Sequence, residues 1–107
     1  MQAISAQELA AWLADDSRAK PLLLDVREPY EFAVCAIEGA MLIPMGTIPA
    51  RSEELDPEQP TVCICHHGMR SAQVAMFLSQ RGFTDLYNLS GGVHAWATQV
   101  DPAMPTY

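Results

Sequence analysis

The stretch Thr61-Val62-Cys63-Ile64-Cys65-His66-His67-Gly68-Met69-Arg70-Ser71, continued by Ala72-Gln73-Val74-Ala75-Met76-Phe77-Leu78, decides the architecture. Thr61 to Ile64 is a short β-branched and apolar run, and Val74, Phe77 and Leu78 then recur at i, i+3 and i+4. A buried strand that passes through a polar loop into an amphipathic helix has this pattern. Cys65 therefore falls at the carboxyl end of a strand. In an open α/β sheet that edge gathers loops and helix amino-termini, and ligands bind there.

The loop reads as an anion cradle around a sulfur. Gly68 tolerates positive φ, so the backbone can curl until the N–H groups of His66 to Ser71 point inward. Ser71 is expected to cap the following helix. Those N–H groups, the helix dipole and the Arg70 guanidinium favour negative charge at the centre, and only Cys65 is expected to supply it. Electropositive surroundings favour thiolate over thiol, which makes Cys65 the expected nucleophile.

Working outward, Pro21-Leu22-Leu23-Leu24 leads into Asp25-Val26-Arg27-Glu28 with the same strand-then-polar-turn layout, and Pro29 suits the first turn of a short helix through Val34. Asp25 and Arg27 thus share the loop edge of the sheet. A structural ion pair bracing the neighbouring loop is preferred there over direct substrate contact. Ser5-Ala6-Gln7-Glu8 is a capping box opening a helix from Ala6 to Ala14, with Met1 to Ile4 as an edge strand before it. Met41-Leu42-Ile43 makes a third strand, stopped by Pro44, and Thr47 is expected to cap a helical stretch through Leu55. Gly82 is the expected left-handed end of the helix after the loop. Asp85 to Leu89 forms a last strand, and Gly91-Gly92 opens a last helix.

Strands alternating with helices imply parallel crossovers, hence a three-layer α/β domain with a five-stranded parallel sheet flanked by helices on both faces. At 107 residues, half of them apolar, the chain is expected to be one domain, 1–107, with 100–107 an irregular tail holding Pro102 and Pro105. The formal net charge of -7 argues against nucleic acid or an anionic membrane as partner. Three cysteines do not suggest a secreted disulfide framework. No basic apolar leader and no long apolar run is read, so reducing cytoplasm is the expected location.

Three stretches together resemble the rhodanese-like sulfurtransferase family. Cys65 to Ser71 resembles its active-site loop, with four residues between cysteine and arginine. Leu24-Asp25-Val26-Arg27-Glu28-Pro29-Tyr30-Glu31-Phe32 with Ile37-Glu38-Gly39-Ala40 resembles its amino-terminal signature, and Gly91-Gly92-Val93-His94-Ala95-Trp96 its carboxy-terminal one. Ala36 departs from the pattern, standing where many members carry histidine. The resemblance implies strand order 1-5-4-2-3, the Cys65 strand being central. It also implies a Cys65 persulfide that moves sulfur from a donor such as thiosulfate to an acceptor such as cyanide, a small thiol or a protein thiol. His66, His67, Gly68, Met69, Arg70 and Ser71 would then bind substrate.

Other groups are read more plainly. Cys63 lies on the same side of the strand as Cys65 and is expected to be buried packing; Cys35 is also read as packing, with a resolving thiol as the alternative. The C-x-C-H-H spacing is not that of paired structural zinc ligands, and no metal or cofactor is expected. His94 is expected to be a surface or packing residue. A phosphatase or arsenate reductase of the same fold would hold five residues between cysteine and arginine, so loop length disfavours it. A persulfide carrier or binding module serving one protein partner is compatible with every residue.

Overall fold

The computed structural model describes residues 1–107. The strands are β1 (Gln2–Ile4), β2 (Leu22–Asp25), β3 (Met41–Leu42), β4 (Thr61–Ile64) and β5 (Leu86–Leu89); the helices are α1 (Ala6–Ala14), α2 (Pro29–Val34), α3 (Ile48–Arg51), α4 (Met69–Ser79) and α5 (Gly92–Gln99). All strand pairs are parallel, in the order β1-β5-β4-β2-β3. The expected fold and the strand order implied by the family resemblance are both present.

The side-chain period of two divides the core. Leu23, Val62, Ile64 and Leu89 pack with Leu9, Trp12, Val93 and Trp96 on the face covered by α1 and α5. Leu24, Cys63, Cys65 and Leu86 pack with Ile48, Val74, Ala75 and Leu78 on the face covered by α3 and α4. Every residue of β4 is buried, as a central strand covered on both faces requires. Burying a leucine-sized side chain contributes about 1.5–3 kcal/mol, so these two layers hold the sheet edge and its loops in place.

Local signals set several helix ends. The Ser5 hydroxyl accepts from the Glu8 N–H at 3.0 Å while the Glu8 carboxylate accepts from the Ser5 N–H at 2.8 Å, the capping box in both directions. Gly82, at φ +92°, ends α4 as expected, with the Phe83 N–H reaching back to the Leu78 carbonyl.

Two expected caps are corrected. Gly68, in the left-handed region at φ 108°, is the amino-terminal cap of α4, and Ser71 lies inside the first turn, where its hydroxyl is turned to the site. Thr47 does occupy the amino-terminal cap position of α3, but its side chain makes no capping bond; its hydroxyl donates to the Pro44 carbonyl at 2.8 Å. The stretch after it is α3 between two short 3-10 turns, Met45–Thr47 and Ser52–Glu54, rather than one helix. Residues 100–107 are irregular but folded back, tied to α5 by the Asp101 N–H on the Trp96 carbonyl at 2.9 Å and to Glu31 by the Tyr107 hydroxyl at 2.9 Å.

Candidate active site

Cys65 follows directly on β4 and is 1 % exposed. Its Sγ accepts from the Gly68 N–H at 3.0 Å. That single backbone donor replaces the broader set of inward N–H groups that loop composition suggested. The second neighbour is the Ser71 hydroxyl, 3.3 Å from Sγ and 2.5 Å from Asn88 Oδ1. One hydroxyl hydrogen thus faces two acceptors. Asn88 Nδ2 donates to the Gly68 carbonyl at 3.0 Å, which turns Oδ1 toward Ser71. Ser71 can therefore donate to Asn88 when the sulfur carries its own proton and to the sulfur when it is ionised.

The amino-terminus of α5 fastens the other side of the loop. The Val93 N–H donates to the Cys65 carbonyl at 3.0 Å and the His94 N–H to the His66 carbonyl at 3.2 Å. A Cβ on Gly92 would lie 2.3 Å from both of those carbonyl oxygens. Only glycine permits that approach.

A carboxylate sits where sequence composition allowed only the sulfur to be negative. Glu31, in the first turn of α2, receives both terminal nitrogens of Arg70, at 2.6 and 2.8 Å. It also accepts from the Tyr107 hydroxyl at 2.9 Å and the Glu28 N–H at 3.0 Å. The Arg70 bonds hold its carboxyl down at about 2, well below the ordinary value, and its residue is 4 % exposed. The Glu31 carboxylate in turn pushes Arg70 above its ordinary value. Arg70 therefore meets the cleft with its charge already paired.

Beyond Glu31 the network runs into the sheet. Asp25 and Arg27 are fully buried and paired, with Arg27 Nη2 2.7 Å from Asp25 Oδ2. Arg27 Nη2 also donates to the Cys35 carbonyl at 2.7 Å, and Nη1 to the Tyr107 hydroxyl at 2.9 Å. The pair braces the β2 edge and does not reach the sulfur's hydrogen bonds.

A cleft of about 390 Å³ opens beside the loop, lined by Cys65, His66, His67, Met69, Arg70 and Gln73. Met69 stands at its rim, 79 % exposed. His66 is stacked between His67, at 4.0 Å between centroids, and Tyr107, at 3.9 Å. Burial, then the neighbouring His67, holds His66 below its ordinary value. His94 is exposed, with its ring 5.2 Å from that of His67.

The remaining thiols are separated from the cleft. Cys63 is fully buried, and burial pushes it up to about 12, which keeps it protonated. Cys35 is buried against Arg27, whose Nη1 is 3.9 Å from its sulfur. All three cysteines are free.

Glu31, Asn88 and Tyr107 were not singled out from sequence. Glu31 is the N3 partner of a capping box started by Glu28, a detectable signal. Asn88 is a polar residue in a core strand, aligned with Cys63 of β4. Nothing local marks Tyr107.

A cysteine-centred loop at the carboxyl edge of a central parallel strand, closed by an arginine in the next helix, defines a class of α/β proteins. Residues 5–99 match the Rhodanese-like domain family, and the chain belongs to it. It is 38 % identical over 94 residues to a protein named sulfurtransferase from Allochromatium vinosum, covering 88 % of this chain and 86 % of that one. It is 42 % identical over 89 residues, 79 % of this chain, to the chloroplastic rhodanese-like/PpiC domain-containing protein 12 of Arabidopsis thaliana. The matched region is 30 % of that plant protein, so the chain spans under a third of its length. A rhodanese-like domain protein from Staphylococcus aureus superposes with TM-score 0.85 at 33 % identity, covering 100 % of this chain and 99 % of that one. No helix is long and apolar enough to cross a membrane.

Proposed function

We propose that this rhodanese-like domain is a sulfurtransferase that carries sulfane sulfur as a persulfide on Cys65. The observation that carries the reading is the pair of donors on one cleft-lining sulfur, the Gly68 N–H and the Ser71 hydroxyl, at the carboxyl end of β4. Both stabilise an anionic sulfur, either the attacking thiolate or the terminal sulfur of a persulfide.

The cycle has two displacements. Cys65 thiolate attacks the outer sulfur of a donor such as thiosulfate; a new S–S bond forms, the donor's S–S bond breaks, and sulfite leaves with the bonding pair. An acceptor such as cyanide or a thiolate then attacks the terminal sulfur of the persulfide. Cyanide leaves as thiocyanate and Cys65 returns as thiolate. Neither step needs a proton carrier once the thiolate exists, so His66 and His67 act on the shape and charge of the cleft. Gly68, Met69 and Arg70 complete the binding surface.

A second reading is favoured by the exposed Met69 at the rim of the cleft. An apolar rim suits contact with a protein acceptor, and the domain then acts as a persulfide carrier for one partner. Intact-protein mass after brief thiosulfate exposure tests the first reading, with Cys65→Ser in parallel and cyanide added afterwards. A gain of one sulfur that requires Cys65 and is discharged as thiocyanate is expected. No gain on a reduced, intact thiol would remove thiosulfate as donor.

A further inference from the structure

We propose that Glu31 is a specificity-determining residue that makes dianionic oxyanion donors such as thiosulfate competent but slower than low-molecular-weight thiol persulfides. This rests on the sulfurtransferase reading of Cys65. Binding of a dianionic donor is favoured by an unpaired cation beside the sulfur it presents. Arg70 is the one guanidinium lining the cleft, and both of its terminal nitrogens are held by the two oxygens of Glu31, at 2.6 and 2.8 Å.

Glu31 is not a loose counter-ion that a substrate displaces. Its carboxylate is fixed by the Tyr107 hydroxyl at 2.9 Å and the Glu28 N–H at 3.0 Å, and its side chain is 6 % exposed against 36 % for Arg70. Taking Arg70 from it would strand a buried carboxylate. An oxyanion donor entering the cleft therefore meets a neutralised arginine with a carboxylate behind it, on a chain of formal net charge -7.

A thiol persulfide avoids this penalty. Cys65 thiolate attacks the outer sulfur of R–S–SH, the donor S–S bond breaks, the thiolate R–S⁻ leaves with the bonding pair, and Cys65–S–SH holds the proton. The group that meets Cys65 is then an S–SH, with any carboxylates of the donor remote from the reacting sulfur, and not a dianionic thiosulfate.

The test is the rate of Cys65 persulfidation, by intact mass, with glutathione persulfide and with thiosulfate, in the native chain and in Glu31→Gln and Glu31→Asp. Glu31→Gln frees Arg70 and is expected to raise kcat/KM for thiosulfate about tenfold, equivalent to about 1.4 kcal/mol, while the thiol persulfide changes less than about twofold. Glu31→Asp keeps the charge and is expected to stay near the native preference. An equal change for both donors, a fall with thiosulfate, or an Asp variant that behaves as Gln overturns the proposal while leaving Cys65 chemistry intact. Sulfur on Cys65 from neither donor in any form would instead sink the sulfurtransferase reading and this inference with it. The native chain gives an independent check that needs no variant. Millimolar sulfate is expected not to slow alkylation of Cys65 by iodoacetamide, and protection would show that the site binds dianions with Glu31 in place.

Discussion

The ring of Tyr107 lies flat on that of His66, with centroids 3.9 Å apart and 11° between the planes. Its hydroxyl, at the far edge of the ring, sits between Arg27 and Glu31 at 2.9 Å from each. The irregular tail thereby touches the reactive loop at one end of the ring and the charge network at the other. Tyr107→Phe keeps the stack and removes two hydrogen bonds to charged groups, so it is expected to cost about 2 kcal/mol or more. Tyr107→Ala loses the stack as well, a further 0.5–1.5 kcal/mol or so. Urea unfolding reads both as a lower midpoint at unchanged slope. Equal midpoints for all three chains would show that the tail contributes nothing to holding the site.

Acid should act through Glu31. Its carboxyl ordinarily titrates at 4.5 and is held at about 2 by Arg70, so the folded state binds its proton less readily than the unfolded chain. The resulting stability is fully present above about pH 4.5 and is lost as pH falls toward 2. The shift represents on the order of 2–3 kcal/mol, somewhat reduced by the partial exposure of Arg70. The difference in unfolding free energy between the native chain and Glu31→Gln is expected to shrink across that window. A difference that stays constant from pH 5 to 2 would mean Glu31 is not the group that titrates.

Fold and site were not equally legible. The alternation of Thr61-Val62-Cys63-Ile64 with the spaced apolar positions of α4 reports burial on each side of a strand and one side of a helix, and these are local properties of the chain. Capping of α1 was legible for the same reason, since Ser5 and Glu8 are three residues apart. Ser71 misleads because serine is favoured at caps, whereas its hydroxyl turns to Cys65, just past β4, and to Asn88 in β5. Pairing across 39 residues between Glu31 and Arg70, or across 76 between Glu31 and Tyr107, leaves no trace in spacing. Spacing therefore assigns the loop's negative charge to Cys65 alone, whereas the Glu31 carboxylate shares the site.

Ser71→Ala separates the two donors on the sulfur. It removes the hydroxyl 3.3 Å from Sγ and leaves the Gly68 N–H at 3.0 Å in place. A hydrogen bond to an anionic sulfur is worth about 1.5–3 kcal/mol, so persulfide formation is expected to slow by roughly ten- to a hundredfold. Because Ser71 is fully buried and Asn88 Oδ1 loses its donor, about 1 kcal/mol of stability should go with it. Unchanged loading kinetics would place the whole stabilisation of the sulfur on the backbone.

Gly92 tests whether the loop must be seated on α5 to react. With φ at +60° and its Cβ position 2.3 Å from the Cys65 and His66 carbonyl oxygens, any side chain there forces backbone apart. Those same carbonyls accept the Val93 and His94 N–H groups, so movement breaks two bonds and shifts the residue that bears the sulfur. Gly92→Ala is expected to cost about 3 kcal/mol or more and to abolish persulfide loading. Gly82→Ala supplies the contrast. Gly82 also has positive φ, at +92°, but nothing lies within 4 Å of its Cβ position, so the cost is the left-handed strain alone, about 1–2 kcal/mol. Its loading rate should match the native chain at temperatures where both are folded. Full loading by a folded Gly92→Ala would show that the seat on α5 supports stability only, and that the Gly68 and Ser71 donors suffice to shape the site.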